Sequence, residues 1–320
     1  MVFYILRRLS SSFILIFIVS LITFMVLMWL PGDAVHVMLG TEASHDTAEK
    51  LRAHLGLDRP WYLQYGEWLI NMFQGDFGNS MLYGQPVQEL ILERLWISLS
   101  LAFYAFILTL IFAFPLGVLA AVKKNSIVDR LIQGSVQVGL AVPAFWFAIL
   151  LVLVFAVYFP IFPPSGYVPI SEGIGPHLKS VLLPSISLAI VEAAVLIRMI
   201  RGSLLSVLKE DYITFARTKG LSPFQIYFKY ALKKGMIGPL TLMGMQVMSL
   251  VSGVIIIENI FAIPGLGRLL LIAVQQRDLM LIQGLVVVMS MIVIIVNLVV
   301  DLLYSYMDPR IKLHAVKEGQ

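Results

Sequence analysis

Three carboxylates stand where charge is expensive: Glu192, Glu258 and Asp301 lie in or at the ends of long apolar runs. A charge near the middle of a bilayer must face protein or water, so such residues are functional candidates. Glu192 faces either an arginine such as Arg198 or a water-filled route. Glu258 either borders that route or joins Asn259 in closing one end. Asp301 is placed to pair near a membrane interface. The histidines are a weaker signal. His36, His45 and His54 recur every nine residues, a pattern that suits solvated side chains better than a surface metal site, and no metal site is expected. The chain has no His-Glu-x-x-His pair, no serine on a nucleophile turn and no glycine-rich loop ending in Gly-Lys-Ser/Thr. Gly265-Leu266-Gly267-Arg268 is too short for a dinucleotide fingerprint. With 0 cysteines, disulfides, thiolate metal sites and thiol nucleophiles are excluded. No catalytic residue is assigned, and the chain is not expected to be an enzyme.

The elements that hold these residues are read from hydropathy. Hydrophobic residues make up 59% of the 320 and charged residues only 13%, where soluble domains carry about a quarter charged. Runs of about twenty apolar residues suit helices that cross a hydrocarbon core ~30 Å thick. Six spans are predicted, roughly 9–30, 97–121, 135–159, 181–200, 238–260 and 281–305. The fold class is therefore all-α and integral to the membrane. Arg7 and Arg8 precede a first apolar run too long for a signal-peptide core, so that run is expected to be a retained span. The fourth run carries Glu192 and ends on Arg198 and Arg201, so its lower half can lie outside the lipid. Pro115 and Pro143 sit inside spans and are expected to kink them. Ser135 with Gly139, and Ser249 with Gly253, have the spacing that lets helices approach closely.

The net charge of +4 is small, but its distribution sets an orientation. With the N-terminus in the cytosol, 16 Lys/Arg fall inside and 7 outside. Both termini are expected to be cytosolic. Four regions follow: 1–30, the N-terminus and first span; 31–96, an external subdomain; 97–306, the remaining spans; and 307–320, a cytosolic tail. The external part carries nine Asp/Glu against four Lys/Arg. It holds two helix-like stretches, about Ser44–Leu55 and Trp61–Phe73, and reads as a small folded cap.

The cytosolic part, 202–236, is the most informative. Glu210-Asp211-Tyr212-Ile213-Thr214-Phe215-Ala216-Arg217-Thr218-Lys219-Gly220-Leu221-Ser222-Pro223 reads as helix, break, helix. Gly220 can end the first helix in the left-handed conformation. Ser222 can cap the second, with Pro223 at its first position, where no N–H is needed. The expected result is a rigid elbow offered to a soluble partner.

Taken together, the residues resemble a known family. Tyr4-Ile5-Leu6-Arg7-Arg8 and Pro31-Gly32-Asp33 bracket the first span as in the B-type permease subunit of dipeptide/oligopeptide/nickel ABC importers. Leu55-Gly56-Leu57-Asp58, Gly75-Asp76-Phe77-Gly78 and Pro86-Val87 match its first external loop. Ile257-Glu258-Asn259-Ile260-Phe261 through Pro264-Gly265-Leu266-Gly267-Arg268, then Asp301-Leu302-Leu303-Tyr304 and Asp308-Pro309-Arg310, match its later segments. The resemblance covers nearly the whole length. It implies a type I ABC importer permease-like fold of six transmembrane helices with a small helical external loop, in the cell inner membrane. It makes the elbow the coupling element that docks into an ATPase subunit, with Asp211, Ala216, Gly220, Ser222 and Pro223 as the residues concerned. Thr214 and Phe215 stand where the family's founding pattern has glutamate and alanine. Glu192 and Glu258 become substrate-pathway candidates.

The implied partners are a second permease subunit forming a heterodimer, two ATPase subunits at the cytosolic face, an extracytoplasmic substrate-binding protein and the lipid bilayer. No nucleic-acid partner is implied. No cofactor belongs to this chain, since ATP and Mg are bound by the ATPases. The implied cargo is a peptide, with nickel chelates or oligosaccharides as alternatives. A stand-alone secondary transporter is the rival reading, and it would call for internal repeats around a midplane ion site, which the sequence does not display.

Overall fold

The computed structural model describes residues 2–29 and 58–307. The expected helix near Ser44–Leu55, the three spaced histidines, the side chain of Asp301 and the Asp308-Pro309-Arg310 signature lie outside what it describes. Every named element is helical: α1 (Val2–Trp29), α2 (Trp61–Phe73), α3 (Val87–Val122), α4 (Ile127–Ala141), α5 (Ala144–Val152), α6 (Ile174–Val207), α7 (Asp211–Thr218), α8 (Pro223–Gln225), α9 (Leu232–Gly235), α10 (Ile237–Ile260), α11 (Leu266–Gln276) and α12 (Leu279–Met307). Among the described residues, extended backbone pairs at the isolated bridge Asn79–Pro86.

Among the described residues, five helices are long and apolar enough to cross a membrane, in α1, α3, α6, α10 and α12. The sixth candidate is broken. Where the sequence suggests one span at 135–159, α4 and the helix Ala144–Tyr158 meet at an angle of 103°. The cause is local. Pro143 has no N–H to donate and forces the preceding residue out of helical geometry. Val142 is accordingly extended, at φ −104° and ψ 128°, and Pro143 sits just before α5. Pro115, expected to act similarly, is carried inside the continuous α3.

The chain forms two compact units, Met1–Ile97 with Pro264–Leu298, and Ser98–Ile263 with Val299–Gln320. In the second, α6 is the central post. Two-thirds (67%) of its most apolar window is buried, against 17% for α1. At 34 residues it is ~51 Å long, more than a hydrocarbon core needs, so its ends can project from the lipid. Leu196, Ile200 and Leu204 of α6 lie in one core with Ala113 and Ala120 of α3, Ile132 and Val136 of α4, and Ile213 and Ala216 of α7. Small residues make the contacts close. A Cβ on Gly139 would stand 2.9 Å from the Ala194 Cβ, and one on Gly253 would meet Leu188 at 3.1 Å. The glycine of each small-residue pair thus packs against α6. His177, near the start of α6, is buried. Its Nδ1 bonds the Val168 carbonyl at 2.7 Å and its Nε2 the Tyr104 hydroxyl at 3.1 Å.

In the first unit, Val87, Leu90 and Ile91 of α3 pack with Leu266, Leu269 and Ala273 of α11 and Leu281 and Leu285 of α12. Asp278 ties a loop to this core. Its Oδ2 accepts from the Ser80 hydroxyl at 2.5 Å and the Leu82 N–H at 3.0 Å, while its Oδ1 accepts from the Leu281 N–H at the start of α12. The cap helix expected at Trp61–Phe73 is present as α2. Tyr65, Trp68 and Met72 form its buried side, clustered with Phe24 and Val287.

Candidate functional site

The elbow lies between α6 and α10. Glu210 is extended and leads into α7, whose first turn carries Asp211, a charge that complements the helix dipole. Ile213 and Ala216 turn inward to the core around α6. The helix then closes. The Gly220 N–H donates to the Arg217 carbonyl at 3.0 Å, and the Leu221 N–H to the Ala216 carbonyl at 3.3 Å. Gly220 adopts φ +75°, the left-handed geometry expected of it. A Cβ placed there would meet nothing within 4 Å, so the requirement for glycine is a backbone one.

The next helix starts as its residues dictate. The Ser222 Oγ accepts from the Gln225 N–H at 3.3 Å, and the Gln225 Oε1 accepts from the Ser222 N–H at 3.2 Å. This is a reciprocal capping box with Pro223 in the first turn. A π-helical turn, Ile226–Ala231, continues into α9. The Ser203 hydroxyl donates to the Gly235 carbonyl at 2.6 Å, fixing α9 against α6. Lys234 pairs with Glu210 across the base of the elbow. The Tyr212 phenol beside them is held above its usual pKa, first by burial and then by the Glu210 charge.

What the elbow exposes differs from what shapes it. Phe215 is 61% exposed and Phe224 69%, and the Phe228 ring packs against Phe224 at a tilt of 30° with centroids 4.5 Å apart. The Lys219 ammonium lies over the Phe215 ring at 4.6 Å. Ala216, named from the sequence, is buried, and Gly220, Ser222 and Pro223 set the geometry. The aromatic faces were not named. Their signal was there in the sequence, as phenylalanines amid Arg217, Lys219 and Lys229 in an otherwise polar segment.

A second arrangement went unread in the sequence. Asp129 of α4 takes a two-point contact from Arg201 of α6, Nε to Oδ1 and Nη2 to Oδ2, both at 2.7 Å. The Asp129 side chain is 4% exposed and that of Arg201 23%. Asp129 Oδ2 also accepts from the N–H of Asn125, which is held at φ +63°. One carboxylate therefore shapes the α3–α4 turn and anchors α4 to the helix that carries the elbow.

Glu192 and Glu258 differ in setting. The Glu192 Oε1 accepts from the Ser249 hydroxyl at 2.6 Å, and its main-chain carbonyl accepts from the Gln246 amide at 2.7 Å. Arg198 is exposed, and no ion pair joins it to Glu192. The partners of Glu192 are thus polar groups of α10. Glu258 is fully buried and accepts from the Ser98 hydroxyl at 2.5 Å.

The sequence that builds these helices and the elbow matches a family model described as binding-protein-dependent transport system inner membrane component over residues 113–313. A companion N-terminal model of the same systems covers 1–102. The chain belongs to this family. A putative peptide transport system permease protein of Brucella abortus is 39% identical over 308 residues, 96% of this chain and 98% of that one. The oligopeptide transport system permease protein AppB of Bacillus subtilis is 36% identical, covering 97% of this chain and 99% of its own. The glutathione transport system permease protein GsiC of Escherichia coli K12 is 37% identical, at 97% and 98% coverage. Among solved structures, a chain of the MetNI methionine ABC transporter in an inward-facing conformation aligns with a TM-score of 0.57 at 17% identity, over 68% of this chain and 96% of that one. That likeness is one of fold. As an inner membrane component of a binding-protein-dependent ABC transporter, the permease is the non-catalytic, multi-pass part of a system that includes an ATPase and a binding protein.

Proposed function

We propose that this permease forms half of the translocation route of a peptide importer, paired with a second permease subunit in a heterodimer. Two ATPases engage it at the cytosolic face, and a binding protein delivers cargo from the other side. Both termini are cytosolic. Segment 31–96 is external, 97–306 is the transport core with 202–236 as the coupling elbow, and 307–320 is a tail. The observation that carries the reading is the ordered elbow, capped at Ser222 and turned at Gly220, with Phe215 and Phe224 outermost. Asp211, Ala216, Gly220, Ser222 and Pro223 hold the shape, and the phenyl rings enter the ATPase. Exposed aromatics beside basic residues suit an apolar groove with an acidic rim. The substrate class rests on relatives named for peptide, oligopeptide and glutathione transport.

Reconstitution of the full assembly in proteoliposomes tests this. Peptide import is expected only with ATP on the face where the elbow and termini are reached, and only with the binding protein on the other. Import driven by an ion gradient without ATP would favour the secondary transporter. Import of nickel chelates or oligosaccharides in place of peptides would reassign the cargo.

Glu192 is proposed to line the route. It carries a carboxylate within a candidate span, with hydroxyl and amide partners in place of a cation. Glu258 is enclosed against Ser98 and would reach the route only after α10 moves. Glu192→Gln is expected to lower import on the order of tenfold, the equivalent of one charge-assisted contact, with assembly intact. Reduced folded yield with an unchanged rate per assembled complex would make Glu192 a packing residue instead.

A further inference from the structure

Helix α2 belongs to the segment expected in water, yet its contacts run along a membrane span. A hydrogen bond of 2.8 Å joins the Tyr65 hydroxyl to Ser20, near the middle of the apolar stretch Ser10–Trp29. The Tyr65 ring stands edge-on to Phe24 and Phe17, with centroids 5.3 and 5.9 Å away. Eight residues further along α2, Phe73 stacks on Phe13 at 6.1 Å. The contacts on α1 therefore extend from Phe13 to Phe24. If α1 crosses the membrane, α2 shares its depth. At 13 residues, ~20 Å, α2 is too short to cross by itself.

The faces of α2 divide accordingly. Tyr65, Trp68 and Met72 are buried inside the unit. Gln64, Glu67, Asn71 and Gln74 follow one another at helical spacing on one flank, where Glu67 pairs with Arg59 at 2.6 Å. The remaining arc holds Tyr62, Leu63, Ile70 and Phe73, with Ile70 60% and Phe73 63% exposed. A soluble cap has no reason to display such an arc. The exposed side of α1, which includes Phe13, Ile14, Phe17 and Ile18, is hydrocarbon too, and the Phe13–Phe73 stack makes the two surfaces continuous. Backbone at membrane depth must find its partners within the protein. The end of α2 meets this demand: the N–H groups of Gln74, Gly75 and Asp76 donate to the carbonyls of Ile70, Asn71 and Met72.

We propose that α2 is a membrane-inserted helix whose arc of Tyr62, Leu63, Ile70 and Phe73 packs against lipid acyl chains. Its flank of Gln64, Glu67, Asn71 and Gln74 faces away from the lipid, where the Arg59–Glu67 pair stays solvated. This rests on α1 being a span and on nothing in the choice of cargo.

The chain has 0 cysteines, so a single thiol can be introduced for labelling. Ile70→Cys, Phe73→Cys and, as a water-exposed reference, Gln85→Cys are each given a nitroxide. They are assembled with cysteine-free partner subunits and reconstituted without binding protein. Collision with oxygen, which concentrates in acyl chains, is compared with collision with a water-soluble nickel chelate. With no water in the bilayer core, the oxygen-to-nickel ratio at 70 and 73 is expected to exceed that at 85 on the order of tenfold. Nickel access equal to that at 85 would place α2 in water and overturn the proposal. Low access to both reagents would mean a protein partner covers the arc, which overturns it as well. Retained import by the labelled variants confirms that they are folded. A wild-type assembly that imports no peptide would sink the cargo assignment and leave this result standing.

Discussion

Replacing Gly220 with valine is expected to abolish most transport while leaving the spans folded. The backbone there is at φ +75°, where a β-branched residue is a genuine outlier. A Cβ at that position would meet nothing within 4 Å. The penalty therefore starts in the backbone of the turn and changes the angle between α7 and the capped helix at Ser222. A graded series separates geometry from folding. Gly220→Asn should keep most activity, since asparagine visits the left-handed region. Gly220→Ala should be intermediate, at a cost of roughly 1–2 kcal/mol. Gly220→Val should lower ATPase co-purification on the order of tenfold or more, the equivalent of about 1.4 kcal/mol or more at the contact. Normal ATPase association and import in the valine variant would end the coupling role assigned to this turn.

The second large effect is expected at Asp129. Asp129→Ala removes both acceptors from the Arg201 guanidinium and the acceptor for the strained Asn125 N–H. Breaking a buried pair from one side typically costs about 3–5 kcal/mol, because the remaining charge is stranded. The value here belongs toward the lower end, since Arg201 keeps some access to solvent. Detergent-solubilised yield and thermal midpoint should both fall. The double change Asp129→Leu with Arg201→Met should recover much of the loss, as apolar replacements of buried pairs often do. A single Asp129→Ala variant as stable as the parent would show that the contact contributes nothing to holding α4 on α6.

Sequence offered Arg198 as partner of Glu192 because a charge on the same helix is the nearest cation in the chain. The structure gives Glu192 a hydroxyl and an amide from α10, 57 and 54 residues further on. Helical phase separates Glu192 from Arg198, since residues six apart point to different sides of a helix with 3.6 residues per turn.

What the sequence determined by itself is what local energetics determine. Transfer of apolar side chains sums along a run, so five of the six spans were legible from hydropathy, along with the membrane class. The elbow was legible because a glycine at positive φ, a serine cap and a first-turn proline act within a few residues of one another. Tertiary structure decided everything that depends on which surfaces meet. Pro143 turns the chain through 103° while Pro115 is carried inside one helix, although both are prolines in apolar runs. Asp129 finds Arg201 across 72 positions, and Tyr65 finds Ser20 across 45. Such pairings follow from close packing of whole helices around α6 and along α1, and hydropathy, which records only how apolar a stretch is, does not specify which neighbour it will face.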